Sequence, residues 1–227
     1  MGMSVGKKAA TAPIQRLRLT FAVSGVARYI SHLDQIRAWV RAMRRLALPL
    51  AYSQGFNPQP RISAAAPLPV GFAAECELLD IYLDAPVDPG QLAAGLRRQL
   101  TAGLTLRAAA EVPLAEPPLP SQVVAADYVV RFLDPPPPDL AQRLARLLSS
   151  SSLPFTRVRQ GKRIEFDLRP RLLAARIEEC AGRPALILRL SHTPGGAARP
   201  EDVVQALDLP PASVRATRTR LVLSTRS

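Results

Sequence analysis

The residues with the clearest chemical potential begin at Ser31. Ser31 and Asp34 have the spacing of a helix N-cap residue and its partner three residues later, with His32 between them. Backbone N–H groups at a helix N-terminus bind anions, so Ser31 and His32 are candidate anion-binding residues, and His32 is also a candidate general base. The competing interpretation is that Ser31 and Asp34 only cap the helix and that His32 packs against its surroundings.

The helix that follows carries arginines on one face. Apolar residues recur at helical spacing from Ile36 to Ala47, and the helix is expected to end near Leu48, before Pro49. The remaining face carries four basic side chains, which are Arg37, Arg41, Arg44 and Arg45. Guanidinium groups form bidentate bonds with phosphate groups, so this face is a candidate nucleic-acid-binding surface.

A segment rich in glycine and proline follows the helix, over residues 50–71. This composition predicts an ordered loop or a broken pair of strands. Its first half supplies aromatic rings, amides and a cation that are candidates for nucleic-acid binding, namely Tyr52, Gln54, Phe56, Asn57 and Arg61. Such a mixture suits single-stranded RNA, whose bases stack and expose hydrogen-bonding edges. The other interpretation is a rigid turn that closes over a sheet.

A third candidate surface is basic and lies in the second half of the chain. Residues 155–159 and 163–168 predict a hairpin around Gly161. On it, Arg159, Lys162 and Arg163 could follow a phosphate backbone. Acidic residues interrupt this basic run, so a solvated face laced with ion pairs is the alternative.

A fourth candidate is the glycine pair Gly195-Gly196, which precedes Arg199 and a predicted helix start at Pro200. A glycine loop in this position can hold an anion, and Gly195, Gly196 and Arg199 are therefore candidate anion-binding residues. A plain turn is the other interpretation of the same residues.

The charge of the whole chain agrees with a polyanionic partner. The chain of 227 residues has 30 Lys and Arg against 18 Asp and Glu, a formal net charge of +12. All but three of the basic residues are arginines. An excess of this size attracts polyanions such as nucleic acids. The competing explanation is that abundant Arg, Ala and Pro reflect the base composition of a genome.

Other classes of protein lack their signatures here. The two cysteines, Cys76 and Cys180, are far apart and form no CxxC motif, which predicts free thiols in a reducing cytosol and no metal site. No apolar run of about 18 residues is present, so we expect no membrane span and a cytoplasmic protein. Nucleotide-binding glycine motifs and a nucleophile elbow are absent as well, and no cofactor is expected.

The elements that must position these residues predict an α+β fold. Residues 16–23 alternate as a half-buried strand, with Arg16 and Arg18 on the polar face. With residues 50–71 supplying one strand, strands at residues 77–83 and 104–110, and a helix opened by Asp88, the first half has the β-α-β-β-α-β order of a ferredoxin-like (split βαβ) unit. The second half repeats the pattern with an insertion, and residues 170–179 are ambiguous.

The sequence therefore predicts two tandem ferredoxin-like units, the second with an insertion. Prolines between the halves predict a stiff linker. The expected division is a flexible N-terminal leader at residues 1–13, a first unit at 14–112, a Pro-rich linker at 113–122 and a second unit at 123–227.

Two blocks of residues resemble a known family. They read Tyr-Ile-Ser-His-Leu-Asp at residues 29–34 and Gln-Gly-Phe-Asn-Pro at residues 54–58, and further matching pieces lie at residues 67–71, 161–164, 167–170 and 194–200. Together they resemble the radical SAM-linked (radical SAM-associated) family of bacterial proteins of unknown function, over about residues 14–225. Gln59 departs from the pattern, because family members often have His there.

The resemblance implies a partner and no particular reaction. Members of that family are fused to, or encoded beside, a radical SAM protein with a cobalamin-binding-type region. This chain has no CxxxCxxC motif, so it resembles the stand-alone form, whose radical SAM enzyme is a separate chain. If the His that replaces Gln59 elsewhere moves protons, this chain lacks that function.

Three functions follow from these patterns. The first is a non-catalytic accessory protein of a radical SAM enzyme that binds RNA, either tRNA or rRNA, through its basic surface. The second is a metal-independent endoribonuclease-like enzyme that uses His32 with Tyr29 or Tyr52, by analogy of fold alone. The third is a pure protein-docking adaptor.

Overall fold

The α+β class predicted from the sequence is confirmed by a computed structural model, which describes residues 12–159, 161–193 and 196–224. Most of the regular structure is strand, with few helices. The chain divides into two compact units, one made of Met1–Gly71 and Glu77–Gln122, the other of Phe72–Cys76 and Val123–Ser227. The predicted leader at residues 1–13 lies almost entirely outside the described residues.

In the described part of the first unit, from residue 12 onward, two helices interrupt four strands and one short helix follows. These are β1 (Gln15–Val23), α1 (His32–Arg45), β2 (Ile62–Ala64), β3 (Ala73–Leu83), α2 (Pro89–Gln99), β4 (Leu104–Glu111) and α3 (Leu119–Gln122). Its strands lie side by side in the order β4-β1-β3-β2, with β1 antiparallel to β4 and β2 antiparallel to β3. A 3-10 turn at Gly25–Tyr29 connects β1 to α1.

The predicted start of α1 is confirmed. The Ser31 hydroxyl accepts a hydrogen bond from the backbone N–H of Asp34 at 3.1 Å, which satisfies one donor that the first helical turn leaves open. The buried side of the helix includes Trp39, whose ring packs edge-to-face with that of Phe21 on β1, with ring centroids 4.9 Å apart. This contact fixes which side of α1 faces solvent.

The expectation that β1 is half-buried is wrong at Arg16, which is 1% exposed. The Arg16 guanidinium binds the fully buried Asp80 carboxylate at 2.6 and 2.9 Å, and Arg18 binds the same carboxylate at 2.8 Å. The physical reason is that the chain after β4 covers this face. Arg16 also donates to the backbone carbonyls of Glu116 and Pro117, so its charge is buried with its donors satisfied.

Within the described residues, the second unit contains four principal strands, the two-residue strand β10, two helices and a separate hairpin. In chain order these are β5 (Val123–Phe132), α4 (Leu140–Ser149), β6 (Pro154–Arg159), β7 (Lys162–Asp167), β8 (Leu172–Cys180), β9 (Arg183–Thr193), β10 (Gly196–Ala197), α5 (Pro200–Ala206) and β11 (Val214–Leu223). The strand order is β8-β9-β5-β11; β10 pairs with the end of β9, and β6 pairs with β7 alone.

The second unit also includes residues 72–76. Ala73 and Ala74, at the start of β3, pair in parallel with β11, which makes this sheet a mixed one. The Phe72 ring meets the Tyr128 ring edge-on, at 6.4 Å between centroids. These residues are therefore bound to the second unit by both backbone pairing and ring contact.

Several further features considered from the sequence can be compared with the structure directly. The β6–β7 hairpin is confirmed, and most of the ambiguous residues 170–179 lie in β8, which begins at Leu172 after a 3-10 turn at Arg169–Arg171. Cys76 and Cys180 are both half-buried, and Cys180 is a free thiol. Within the described residues, no helix is long and apolar enough to cross a membrane, and no three His, Cys, Asp or Glu side chains gather as a metal site would require.

Candidate nucleic-acid interface

Three of the four predicted helix arginines line one groove of about 450 Å³ in the first unit. We call it the α1 groove, and its lining residues are Leu33, Ile36, Arg37, Val40, Arg41, Arg44, Gln59, Pro60 and Ile62. The helical spacing explains the arrangement, because residues three, four and seven apart share one side of α1. Arginines on α1 and the chain that enters β2 thus form the two sides of the groove.

Two of the groove arginines present their guanidinium groups to solvent. Arg37 forms an exposed ion pair with Asp34 at 2.9 Å, a contact of the kind that contributes little to stability. Arg41 and Arg44 are exposed, and neither forms an ion pair with any residue in the described part of the chain. The groove therefore retains positive charge that faces solvent.

Arg45 lies apart from the groove. Its guanidinium donates to the side-chain oxygen of Gln99 at 2.9 Å and to the backbone carbonyl of the same residue. The carbonyls of the last helical turn have no partner within the helix, and a cation there is also favoured by the helix dipole. The arrangement gives Arg45 a structural role at the end of α2.

The chain between α1 and β2 contains an ordered loop with a closed base, which we call the 52–60 loop. Ser53 and Gln59 hold the base, with the Ser53 N–H bound to the Gln59 carbonyl at 2.8 Å and the Gln59 N–H bound to the Ser53 hydroxyl at 3.0 Å. A backbone bond from Arg61 to Ala51 at 2.8 Å extends the pairing. These bonds present the tip, residues 54–57, to solvent.

The predicted contact residues of the 52–60 loop occupy different positions. Gln54, Phe56 and Asn57 are exposed at the tip, and Phe56 is 83% exposed. Tyr52 is half-buried at the base, where it pairs with Pro60. The tip turns at Gly55, whose φ of 123° is a conformation that residues with a Cβ rarely adopt.

Arg61 follows the loop and lies over an aromatic ring. Its guanidinium carbon is 4.9 Å from the centroid of the Tyr82 ring, and the guanidinium of Arg16 lies 5.5 Å from the same centroid. Arg61 is exposed, so the cation remains accessible beside the ring that supports it.

The start of α1 has the geometry of the capping interpretation. The Ser31 hydroxyl accepts from the Asp34 N–H and also donates to the Asp34 carboxylate at 2.7 Å. This hydrogen bond, with the nearby Arg37 as the second cause, lowers the pKa of Asp34 below its ordinary value of 3.8. An ionised carboxylate at this position interacts favourably with the positive end of the helix dipole. His32, the candidate base, is half-buried here.

The Tyr29 hydroxyl, which the endoribonuclease hypothesis paired with His32, is engaged by Arg28. The Arg28 guanidinium donates to that hydroxyl at 2.6 Å and lies 4.7 Å from the Tyr29 ring centroid. The structure thus shows a local Arg28–Tyr29 contact beside the start of α1.

The basic residues of the hairpin divide between structural and exposed positions. Lys162 and Arg163 are exposed on β7, and the Arg159 backbone pairs with Lys162, while the side chain of Arg159 lies outside the described residues. Arg157 instead forms an ion pair with Asp202, which is 4% exposed. Neighbouring positions on one hairpin therefore serve different purposes.

The predicted glycine site is filled in part by an arginine. Arg171 lies with its guanidinium carbon 4.2 Å from the Phe166 ring centroid, and a Cβ on Gly196 would approach the Arg171 Nη1 to 2.4 Å. Gly195 lies outside the described residues. Arg199 precedes α5, where its backbone N–H donates to the Asp202 carboxylate at 2.7 Å. A side chain at position 196 would displace the end of the Arg171 side chain, and the Gly196 φ of 122° is itself a conformation that residues with a Cβ rarely adopt.

Sequence reasoning missed the apolar floor of the α1 groove. Leu33, Ile36 and Val40 share a stripe of the helix with the groove arginines, a relation that the helical period alone could have revealed. It also missed the buried carboxylate of Asp80, which lies 64 residues from Arg16 in the chain. No local pattern in the sequence signals that second pairing.

The chain resembles one family of proteins. Residues 16–200 match the family model DUF2344, described as an uncharacterized protein conserved in bacteria. The matched range includes all of α1, the α1 groove and the 52–60 loop. A search of curated proteins finds no match.

Proposed function

The protein belongs to the bacterial DUF2344 family, and we propose that it is a non-catalytic accessory protein that binds RNA through the α1 groove. The observation that carries this proposal is the alignment of Arg37, Arg41 and Arg44 along one groove, with two of the three outside any ion pair in the described residues. Arginines in this arrangement suit the regularly spaced phosphates of a nucleic acid.

The resemblance noted above extends the proposal to a partner. It points to a cytoplasmic protein that serves a separate radical SAM enzyme by holding its RNA, either tRNA or rRNA. The formal net charge of +12 supports the nucleic-acid part of this role, since long-range attraction speeds encounter with a polyanion.

We also infer that both units are ferredoxin-like, as the sequence pattern suggests. The strand order β4-β1-β3-β2 in the first unit and β8-β9-β5-β11 in the second have equivalent connections between strands. The β6–β7 hairpin and β10 are the additions in the second unit. In the first unit, this topology would place α1 on one face of the sheet and leave its arginine side outward.

Electrophoretic shift of total bacterial RNA tests the proposal. We expect the wild-type protein to bind at about 50 to 100 mM salt, where phosphate contacts dominate. The variant Arg37→Ala/Arg41→Ala/Arg44→Ala should bind at least about tenfold more weakly, and its plot of log affinity against log salt should be shallower by about 2 to 3.

A matched variant removes the same charge elsewhere. Arg98→Ala/Arg107→Ala/Arg131→Ala replaces three exposed arginines that do not line the groove. It should keep most of the affinity. Equal losses in the two triple variants would show that net charge alone drives binding, and absence of binding by the wild-type protein in low salt would reject the RNA proposal.

A second candidate function, protein docking, is favoured by exposed apolar residues near the start of α1. Val26, Tyr29, Leu33 and Val70 are each more than half exposed. A 2.6 Å bond from the Gly71 N–H to the Arg28 carbonyl holds the chain after Val70 beside the 3-10 turn. Exposed apolar side chains of this kind are typical of surfaces that contact another protein.

Co-purification with the radical SAM enzyme in nuclease-treated lysate tests that candidate. If docking is the function, Val26→Ser/Val70→Ser, which leaves the groove lining intact, should reduce recovery of the enzyme while the groove triple variant retains it. Recovery that depends on the groove arginines and is lost after nuclease treatment would instead support RNA as the link.

A further inference from the structure

We propose that the α1 groove and the 52–60 loop together accept an unpaired RNA strand, with one base stacked on the ring of Phe56. The inference rests on the proposed RNA-binding function and specifies its substrate class. A duplex has its bases stacked inside and presents mainly phosphates and sugars. An unpaired strand also offers flat base surfaces, and the protein has features that match each part.

The first feature is the position of Phe56. Its side chain is 83% exposed at the tip of a loop whose base is closed by backbone and hydroxyl hydrogen bonds. A large aromatic ring gains free energy when apolar surface leaves water, so an exposed ring on an ordered support is suited to stacking. Because the loop base is already closed, binding has less chain entropy to remove.

The second feature is the floor of the groove. Five of its nine lining residues have apolar side chains, which are Leu33, Ile36, Val40, Pro60 and Ile62. Phosphates alone would gain nothing from this surface. The flat face of an unpaired base, or the carbon side of a ribose, can cover it while the neighbouring phosphates reach the arginines on the rim.

The third feature is the distance between ring and groove. Phe56 precedes Gln59, a groove residue, by three positions, so their Cα atoms lie within about 11 Å of each other. One short strand can therefore reach both. Gln54 and Asn57 are exposed on either side of Phe56 in the chain, and their amides can bond the edges of a stacked base.

Direct binding measurements with two RNA probes test the inference. Fluorescence anisotropy would compare a labelled oligo(U) strand of about 12 nucleotides, which does not pair with itself, with a duplex RNA of the same length. We expect the wild-type protein to bind the single strand at least about tenfold more tightly. Phe56→Ala should weaken single-strand binding by about 5- to 100-fold and leave duplex binding unchanged.

Two conservative variants separate stacking from apolar contact. Phe56→Trp keeps a stacking surface, so it should retain single-strand affinity, and its added fluorescence should be quenched when oligo(U) binds. Phe56→Leu keeps an apolar side chain without a ring and should behave like Phe56→Ala. All of these variants should leave the salt dependence of binding unchanged, because none removes a phosphate contact.

The outcomes distinguish this inference from the function on which it rests. Equal affinity for both probes, with Phe56→Ala changing neither, would overturn the inference and leave groove-based RNA binding intact. Failure of both probes and of total RNA to bind at about 50 mM salt would overturn the proposed function itself.

Discussion

The α1 groove and the β6–β7 hairpin are both rich in basic residues, yet they use them differently. In the groove, Arg41 and Arg44 are exposed and form no ion pair in the described residues. On the hairpin, Arg157 is bound to the buried Asp202, and after the hairpin Arg169 donates to the backbone carbonyls of Leu148 and Leu172.

These two regions show that the number of arginines in a segment is a poor guide to binding. What decides the role of each guanidinium is whether acceptors lie within its reach. Buried arginines with satisfied donors hold elements together, and exposed ones beside an apolar floor remain available to a ligand. Part of the charge of this chain is therefore structural, and under the proposed function it would contribute nothing to contact with RNA.

The strongest change should be a loss of stability when the ion pair of the hairpin is broken. Asp202→Ala leaves the Arg157 guanidinium without its carboxylate and removes the acceptor of the Arg199 N–H. We expect the free energy of unfolding to fall by about 3–5 kcal/mol. Arg41→Ala/Arg44→Ala should change it by no more than about 0.5 kcal/mol. Urea denaturation followed by circular dichroism measures both, and similar losses would contradict the distinction.

An intermediate effect should appear in RNA affinity. Arg41→Ala/Arg44→Ala and Lys162→Ala/Arg163→Ala each remove two exposed charges. We expect the groove pair to weaken RNA binding by about tenfold and the hairpin pair by about twofold or less, because only the groove adds an apolar floor to its charge. Anisotropy titrations at one salt concentration compare them. A larger loss of affinity in the hairpin variant would indicate that the interface lies in the second unit.

The weakest effect should appear in the stability of the protein at acidic pH. Hydrogen bonds hold the pKa of two carboxyls below their ordinary value of 3.8: the Ser31 hydroxyl acts chiefly on Asp34, and the Leu153 backbone N–H chiefly on Asp167. A lowered folded pKa stabilises the protein above the unfolded pKa, and that stabilisation is lost as pH falls through the folded value, below about pH 4.

Carboxyl NMR titration of wild type and of Arg37→Ala checks this. Both carboxyls should titrate below 3.8 in the wild type. Removing Arg37 should return the Asp34 pKa partway toward its ordinary value and leave Asp167 unchanged. An Asp34 pKa at or above the ordinary value would show that the Ser31–Asp34–Arg37 contacts do not persist in solution.

Local patterns predicted the elements that carry the groove. Short-range preferences explain the cap at Ser31, the spacing of the arginines on α1, and the glycine and prolines of the 52–60 loop. Each of these patterns can be recognised within about ten residues of sequence. The β-α-β-β-α-β order of the first unit followed in the same way, although β3 begins at Ala73, four residues before the predicted strand.

Long-range partners were beyond the reach of such patterns. The alternation in β1 placed Arg16 on the solvent face, and its burial depends on Asp80 and on the chain at Glu116 and Pro117, far away in sequence. Arg45 looked equivalent to its helix neighbours until α2 placed Gln99 against it. Periodicity predicts which face a residue occupies, but it carries no information about what that face meets.

The pairing of residues 72–76 with β11 has a consequence for how the nascent protein matures. Ala73 and Ala74 leave the ribosome more than 140 residues before their partners Thr217 and Arg218. During synthesis, this pairing can form only after β11 has been made, and contacts so distant in sequence form slowly. A recombinant fragment of residues 123–227 would lack the residues that pair with Thr217 and Arg218 of β11. The edge of the sheet at β11 would then be open, and such an edge is prone to aggregation.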